Sequence, residues 1–407
     1  MPIGFAKSIL AQGTTATGAN AFLDYDGSND NTFTRNAAVQ GFLGFAAFND
    51  EYGISMYIQD AGGSSNDLIR YDVLRNNSGT LEMSSQEQSW VTSTTSNYTD
   101  FVAKVVPTNS GNIFVYVDAL PNNTGGTFSI SGSTVTKHDT FNVDGNFAKG
   151  NGGRMYRRPS SDVYVNMLTR GGQVTTLTDN GNLSSTSSGA GSNVANSDMF
   201  YNNARGVNGF KDANTVLMWK TIEDSPSTNI NTVVPFELDL TTTGNNISAT
   251  AISGVTGAAL TLGGSVSQAI DFGQQGSSHF ETTDFNDTLM FFERRSQGST
   301  GQIRIHHYTP GDSSVTSSNT LTYSAGSDSD ISPSGCFVGA NNDVFLFAHL
   351  QDPNNMIILK FVKSTNTVSE ITRINESFNV EKCRMSRWGD GAALLTYNDV
   401  KMRLIKP

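Results

Sequence analysis

Short apolar runs placed directly behind a turn residue recur along this chain, and their spacing organises the rest of it. The clearest example lies in 335–350. There Cys336-Phe337-Val338 meets Ala340-Asn341-Asn342-Asp343, and Val344-Phe345-Leu346-Phe347-Ala348-His349-Leu350 follows. Asn and Asp tolerate left-handed backbone angles, so they suit a tight reversal. A run of β-branched and aromatic side chains suits a pleated, buried surface. The stretch predicts a β-hairpin. Its second strand is echoed at 53–58, 112–117, 162–168, 214–219, 287–292 and 391–395. With Asp343 in its place, the first positions of these runs lie 59, 50, 52, 73, 56 and 48 residues apart. No stretch shows the 3.6-residue period of an amphipathic helix.

The sixth unit reads as four strands, at 331–339, 343–350, 356–362 and 368–374, with turns at 351–355 and 363–367. The segments 236–240 and 302–306 alternate in the same way and read as third strands. Four-stranded units of roughly 40–50 residues resemble the blades of a β-propeller. The resemblance is to the architecture and spans the whole chain; no Trp-Asp or Kelch signature is present. It implies an all-β fold, a single seven-bladed β-propeller over 20–407. A two-domain β-sandwich is the rival for strands this closely spaced. Contacts between blades are expected from the second and third strands, whose runs are the most continuously apolar.

The last unit is incomplete. After Gly391 the chain has room for one more strand, at 400–405. An N-terminal strand is therefore expected to complete it, at 20–25 or, as second choice, at 7–12. Closure of this kind removes free sheet edges. The one long spacing places an insertion near 253–278, rich in Gly, Ala and Ser, as an extra hairpin or a protruding loop.

Composition changes the picture in one respect. Charged residues make up only 15% of the 407 residues, with 40 glycines and a formal net charge of -11. About a quarter charged is usual. An acidic chain whose one local basic cluster is the short stretch 154–158 disfavours nucleic acid and anionic membrane as partners. No run approaches ~18 apolar residues, so no membrane insertion is expected. Residues 1–11 lack the apolar length of an export signal. Two cysteines make no disulfide framework.

Candidate chemistry is sparse. Asp24-Tyr25-Asp26-Gly27-Ser28-Asn29-Asp30 sets carboxylates at alternate positions around a Gly. Asp24, Asp26 and Asp30 resemble a calcium loop but depart from the EF-hand pattern, with no terminal Glu; an Asp-Gly turn is the plainer reading. Apart from this calcium candidate, no cofactor is expected. Cys336 and Cys383 read as small fillers on inner strands. His138, His279, His306, His307 and His349 lack metal spacing, and adjacent His306 and His307 should face opposite ways on a strand. Arg154-Met155-Tyr156-Arg157-Arg158 reads as a solvated basic turn. Glu223/Asp224 and Asp328/Asp330 read as loop carboxylates. No G-x-S-x-G elbow is present.

Met1-Pro2-Ile3-Gly4-Phe5-Ala6-Lys7-Ser8-Ile9-Leu10 is similar to the start of some marine-phage virion proteins. The resemblance implies that 1–19 docks on a tailed-phage particle. It implies a non-enzymatic structural or adhesion component of the virion, on tail or capsid appendage. Its partners would be other virion proteins, further copies of itself in a symmetric assembly, and a host-surface glycan. The alternative from another class is a propeller that binds or degrades polysaccharide.

Overall fold

The computed structural model describes residues 31–34, 39–59, 68–92, 102–107, 111–119, 122–138, 141–142, 154–157, 163–168, 171–176, 186–188, 207–212, 214–223, 230–239, 248–262, 289–297, 300–324, 331–338, 344–350, 355–374, 384–388, 392–397 and 401–405. They are almost wholly strands.

The first described strand is β1 (Asn31–Thr34). Sheet I follows as β2 (Val39–Ala47), β3 (Tyr52–Gln59), β4 (Leu68–Asn77) and β5 (Thr80–Thr92), side by side in that order. Sheet II contains β6 (Val102–Pro107), β7 (Ile113–Ala119) and β8 (Asn122–Ser131), with β9 (Thr134–Lys137) and β10 (Phe141–Asn142) both on the far edge of β8. Sheet III is β11 (Arg154–Arg157), β12 (Val163–Leu168), β13 (Gly171–Thr176) and β14 (Thr186–Ser188). Sheet IV is β15 (Val207–Phe210), β16 (Thr215–Glu223) and β17 (Ile230–Asp239), with β18 (Ser248–Ala251) and β19 (Ala258–Ala259) both on β17. In sheet V, β20 (Leu289–Gln297) pairs with β21 (Thr300–Tyr308), and β22 (Thr316–Ser317) and β23 (Leu321–Ser324) share the other edge of β21. Sheet VI is β24 (Ile331–Val338), β25 (Val344–Leu350), β26 (Asn355–Val362) and β27 (Thr367–Ile374). Sheet VII contains β28 (Arg384–Trp388), β29 (Ala392–Tyr397) and β30 (Lys401–Ile405), and β1 joins it on the open edge of β30.

All these pairings are antiparallel. The first described strands of successive sheets adjoin: β2 lies beside β6 and β28, β6 beside β11, β15 beside β20, and β24 beside β20 and β28. Small antiparallel sheets following one another along the chain and touching through their first described strands make a β-propeller, as the spacing of the apolar runs predicts. Among the described residues, no helix is long and apolar enough to cross a membrane.

Two expectations are corrected, and the insertion is seen in part. The place on β30 is taken by β1, from Asn31↔Leu404 to Thr34↔Lys401, not by 20–25, which lies outside the described residues along with 7–12. The segment 253–278, expected as an extra hairpin or a protruding loop, is described only as far as 262. There β19 pairs with Thr232 and Val233, and Ala258 and Leu262 are buried. The basic stretch is no turn, because Arg154–Arg157 forms β11 and pairs with β12.

The apolar side chains fill the junctions between sheets. One cluster joins sheets I and II through Ile54, Met56, Ile58, Tyr71, Trp90 and Phe128. A second joins sheets IV, V and VI through Trp219, Val233, Ile303, Ile305, Ile357 and Leu359. A third joins sheets VII and I through Phe45, Leu74, Trp388, Leu394, Met402 and Leu404. Second and third strands supply many of these residues, joined by inner-strand residues such as Phe45, Ala46 and Trp388 and by outer-edge residues such as Leu81, Trp90, Ala258, Tyr323 and Val368.

Gly53 opens the first apolar run because no larger residue fits. A Cβ there would stand 2.5 Å from the Phe45 ring and 2.9 Å from the Ala46 carbonyl oxygen. Gly53→Ala is expected to cost about 1–3 kcal/mol by overpacking, read from urea unfolding. A variant as stable as the parent would mean that the Phe45 ring yields freely.

Candidate functional site

The densest polar chemistry among the described residues is inside sheet V, and hairpin register builds it. β20 and β21 are joined by Gly298-Ser299, so Gln297 faces Thr300, Glu293 faces Arg304 and Phe291 faces His306. Alternation then places Glu293, Arg304 and His306 on one face. β22 sets Ser317 opposite His306.

The side chains close into a relay. His306 Nε2 lies 2.7 Å from Glu293 Oε2, and His306 Nδ1 lies 2.8 Å from Ser317 Oγ. The backbone N–H of Leu262 donates to Glu293 Oε1 at 2.8 Å, and Arg304 Nη1 stands 3.9 Å from Oε2. Glu293 and His306 side chains are 0% exposed. An isolated buried carboxylate would be strongly disfavoured; this one is surrounded by donors.

Ser, His and a carboxylate are the residue types of nucleophilic catalysis. Here the imidazole has both nitrogens engaged and no solvent contact, and only Ser317 reaches partial exposure. A reacting substrate atom has no approach to the His306–Glu293 pair. The relay instead ties β20, β21, β22 and the segment ending at Leu262 together. Sheet I carries a buried acid of similar kind: the Tyr57 hydroxyl lies 3.3 Å from Asp72 Oδ1.

His307 points to the opposite face, as expected for neighbours on a strand. Its Nε2 lies 3.1 Å from Asn366 Oδ1 and its ring is 5.4 Å from that of Phe361, while Nδ1 is buried without a partner. Burial depresses its pKa below the usual 6.5; the Asn366 hydrogen bond opposes this, and Lys363 nearby adds to the depression. The sign follows from linkage. With the folded pKa lowered, the unfolded chain binds the proton more readily, so stability falls as pH drops below 6.5 towards the folded pKa. His307→Gln should flatten that part of the stability profile measured between pH 7 and 5. An unchanged slope would assign the acid sensitivity to other groups.

The remaining sequence candidates do not gather. Asp24, Asp26 and Asp30 lie outside the described residues, as do His279, Cys383, Asp224, Asp328 and Asp330. Cys336 falls on β24, an inner strand, and His349 on β25. His138 Nε2 lies 2.9 Å from Ser129 Oγ. Among the described residues, no three His, Cys, Asp or Glu side chains are grouped to hold a metal. At the surface, Arg75 pairs with Glu51 at 2.6 Å and Glu82 at 3.4 Å and lies 5.8 Å over the Tyr52 ring. Exposed pairs of this kind add little stability.

Comparison with known proteins identifies the fold alone. No family model matches the chain, and no curated protein matches it. The polysaccharide lyase Uly1 shares the architecture at a TM-score of 0.50, with 9% identity over 92% of each chain. A chain of the mitotic checkpoint complex gives a TM-score of 0.47 at 11% identity, over 97% of this chain and 98% of that one. Sqt1 of Saccharomyces cerevisiae gives 0.46 at 11% identity, over 93% and 98%. The chain is an all-β protein of β-propeller architecture.

Proposed function

We propose that this chain is a non-enzymatic structural or adhesion component of a tailed-phage particle. It is read as a seven-bladed ring closed by β1, docked through 1–19, with its loop faces turned to neighbouring virion proteins or to the host surface. Propeller faces are built from loops, which is where binding concentrates on a rigid scaffold. The observation that carries the reading is the 15% charged composition on a fold whose most buried described acid and histidine, Glu293 and His306, are satisfied by one another. The similarity of residues 1–10 to virion proteins adds the particle.

The test is mass spectrometry and electron microscopy of purified particles that encode the chain. Repeated copies at symmetry-related positions are expected. Absence from the particle, together with a free protein that shortens a polysaccharide, would replace this reading with the polysaccharide one. That rival has the fold shared with a lyase in its support and no residue among those described.

A further inference from the structure

Sheets IV and V depart from plain four-stranded sheets in the same way. The outer edge of β17 is filled by two short strands, β18 and β19, and the chain between them leaves that edge. It crosses to sheet V. Thr256 N–H donates to the Ser313 carbonyl at 2.9 Å, and the Thr256 carbonyl accepts from Val315 N–H at 2.9 Å. The outer edge of β21 is split likewise into β22 and β23, and 318–320 lies between. There the Asn319 side chain reaches sheet VI. Val368 N–H donates to Asn319 Oδ1 at 2.7 Å, and Asn319 Nδ2 donates to the Val368 carbonyl at 3.0 Å. Asn366 Nδ2, next to β27, donates back to the Ser317 carbonyl.

One side chain links the stretch that follows the first excursion, just past β19, to the second excursion. Arg304 Nη1 donates to Thr261 Oγ1 at 2.6 Å, on the sheet IV side. Its Nε and Nη2 donate to Thr320 Oγ1 at 3.0 and 2.8 Å, on the sheet V side. The side chain is 21% exposed, with Glu293 behind it.

We propose that the two excursions are rim clasps coupled by Arg304, so that the outer edges of sheets IV, V and VI open as one unit. Outer strands of separate sheets otherwise leave rows of unpaired N–H and C=O groups. The clasps satisfy such groups with the neighbouring sheet. A guanidinium suits the coupling role because its donors are fixed in one planar fork and can hold two hydroxyls at once. The first clasp is also tight. A Cβ on Gly257 would fall 2.6 Å from the Val233 carbonyl oxygen, so the chain returns to β17 where only glycine fits. Ile252, Val255 and Leu260 of this segment pack on the same core cluster that holds Val315 and Val368. Lifting one clasp therefore uncovers apolar surface shared with the other, which makes joint opening a sub-global event.

Arg304→Lys keeps the charge and loses the fork. The readout is amide hydrogen exchange on the whole protein. Thr256, Val315 and Val368 amides, none of which bonds to Arg304, should exchange about tenfold or more faster, while Ile54 and Met56 in sheet I stay unchanged. Acceleration confined to Thr261 and Thr320, or to one clasp, overturns the coupling. Should the variant not fold, the parent protein decides in sub-denaturing urea. The three amides should then share one opening free energy and one urea slope, smaller than those of sheet I. Unlike values among them, or exchange only through global unfolding, overturn the proposal.

Discussion

Trp388→Ala is expected to cost about 3–5 kcal/mol of unfolding free energy, the range for removing a large buried aromatic side chain. Trp388 sits on β28 at 1% exposure, 4.9 Å from the ring of Phe45 on β2, within the cluster joining sheets VII and I. Its Nε1–H donates to the Asn49 carbonyl at 3.3 Å. Truncation would open a cavity at the junction between the two ends of the described chain and leave that carbonyl to water. Urea unfolding measures the loss, and the slope shows whether cooperativity survives. Trp388→Phe keeps most of the packing and should lose only about 1–2 kcal/mol. A loss well under 1 kcal/mol for Trp388→Ala would mean that sheets VII and I do not pack as described.

The second large effect is at Glu293. Glu293→Ala leaves two buried polar groups, the Leu262 N–H and His306 Nε2, without their partner. Removing one member of a buried pair costs about 3–5 kcal/mol, because the other is left without a partner. The pair itself need not be that valuable. Glu293→Leu combined with His306→Phe removes both polar groups and fills the space, so the double variant should lose clearly less than the sum of the single ones. Additive losses would show that the two side chains are not coupled, contrary to their 2.7 Å separation.

The strands of the fold are legible where apolar runs are bounded by turn chemistry. Sheet VI reads from sequence at 331–339, 343–350, 356–362 and 368–374 and is found within a residue or two of those bounds, because Asn, Asp and Pro punctuate it. The strand joining β30 is less legible. Asn31-Thr32-Phe33-Thr34 holds one apolar residue, so a hydrophobicity pattern favours 20–25 instead. What holds β1 is backbone pairing along a waiting edge, a force that leaves little trace in side-chain pattern. The split edges of sheets IV and V are hidden for a related reason: β19 and β22 have two residues each, too few to show a period.

The relay in sheet V was half legible. Opposite facing of His306 and His307 follows from strand alternation alone. The partners of His306 do not, since Glu293 and Ser317 are distant in sequence and meet through register. The available signal was the turn-forming pair Gly298-Ser299 between two strand-like runs. Once the hairpin is centred there, Glu293, Arg304 and His306 must share a face.

The pairing of β1 with β30 tests the architecture most directly. Thr32 and Arg403 are opposite one another in the register. Cα atoms facing across an antiparallel pair lie about 4.5–5.5 Å apart, within disulfide reach. In a Thr32→Cys, Arg403→Cys variant, mild oxidation followed by peptide mapping should join the two introduced thiols within one chain and raise the urea midpoint. Thiols that stay free in the folded protein, or that join only between chains, would contradict a propeller whose last sheet is completed by β1 of the same chain.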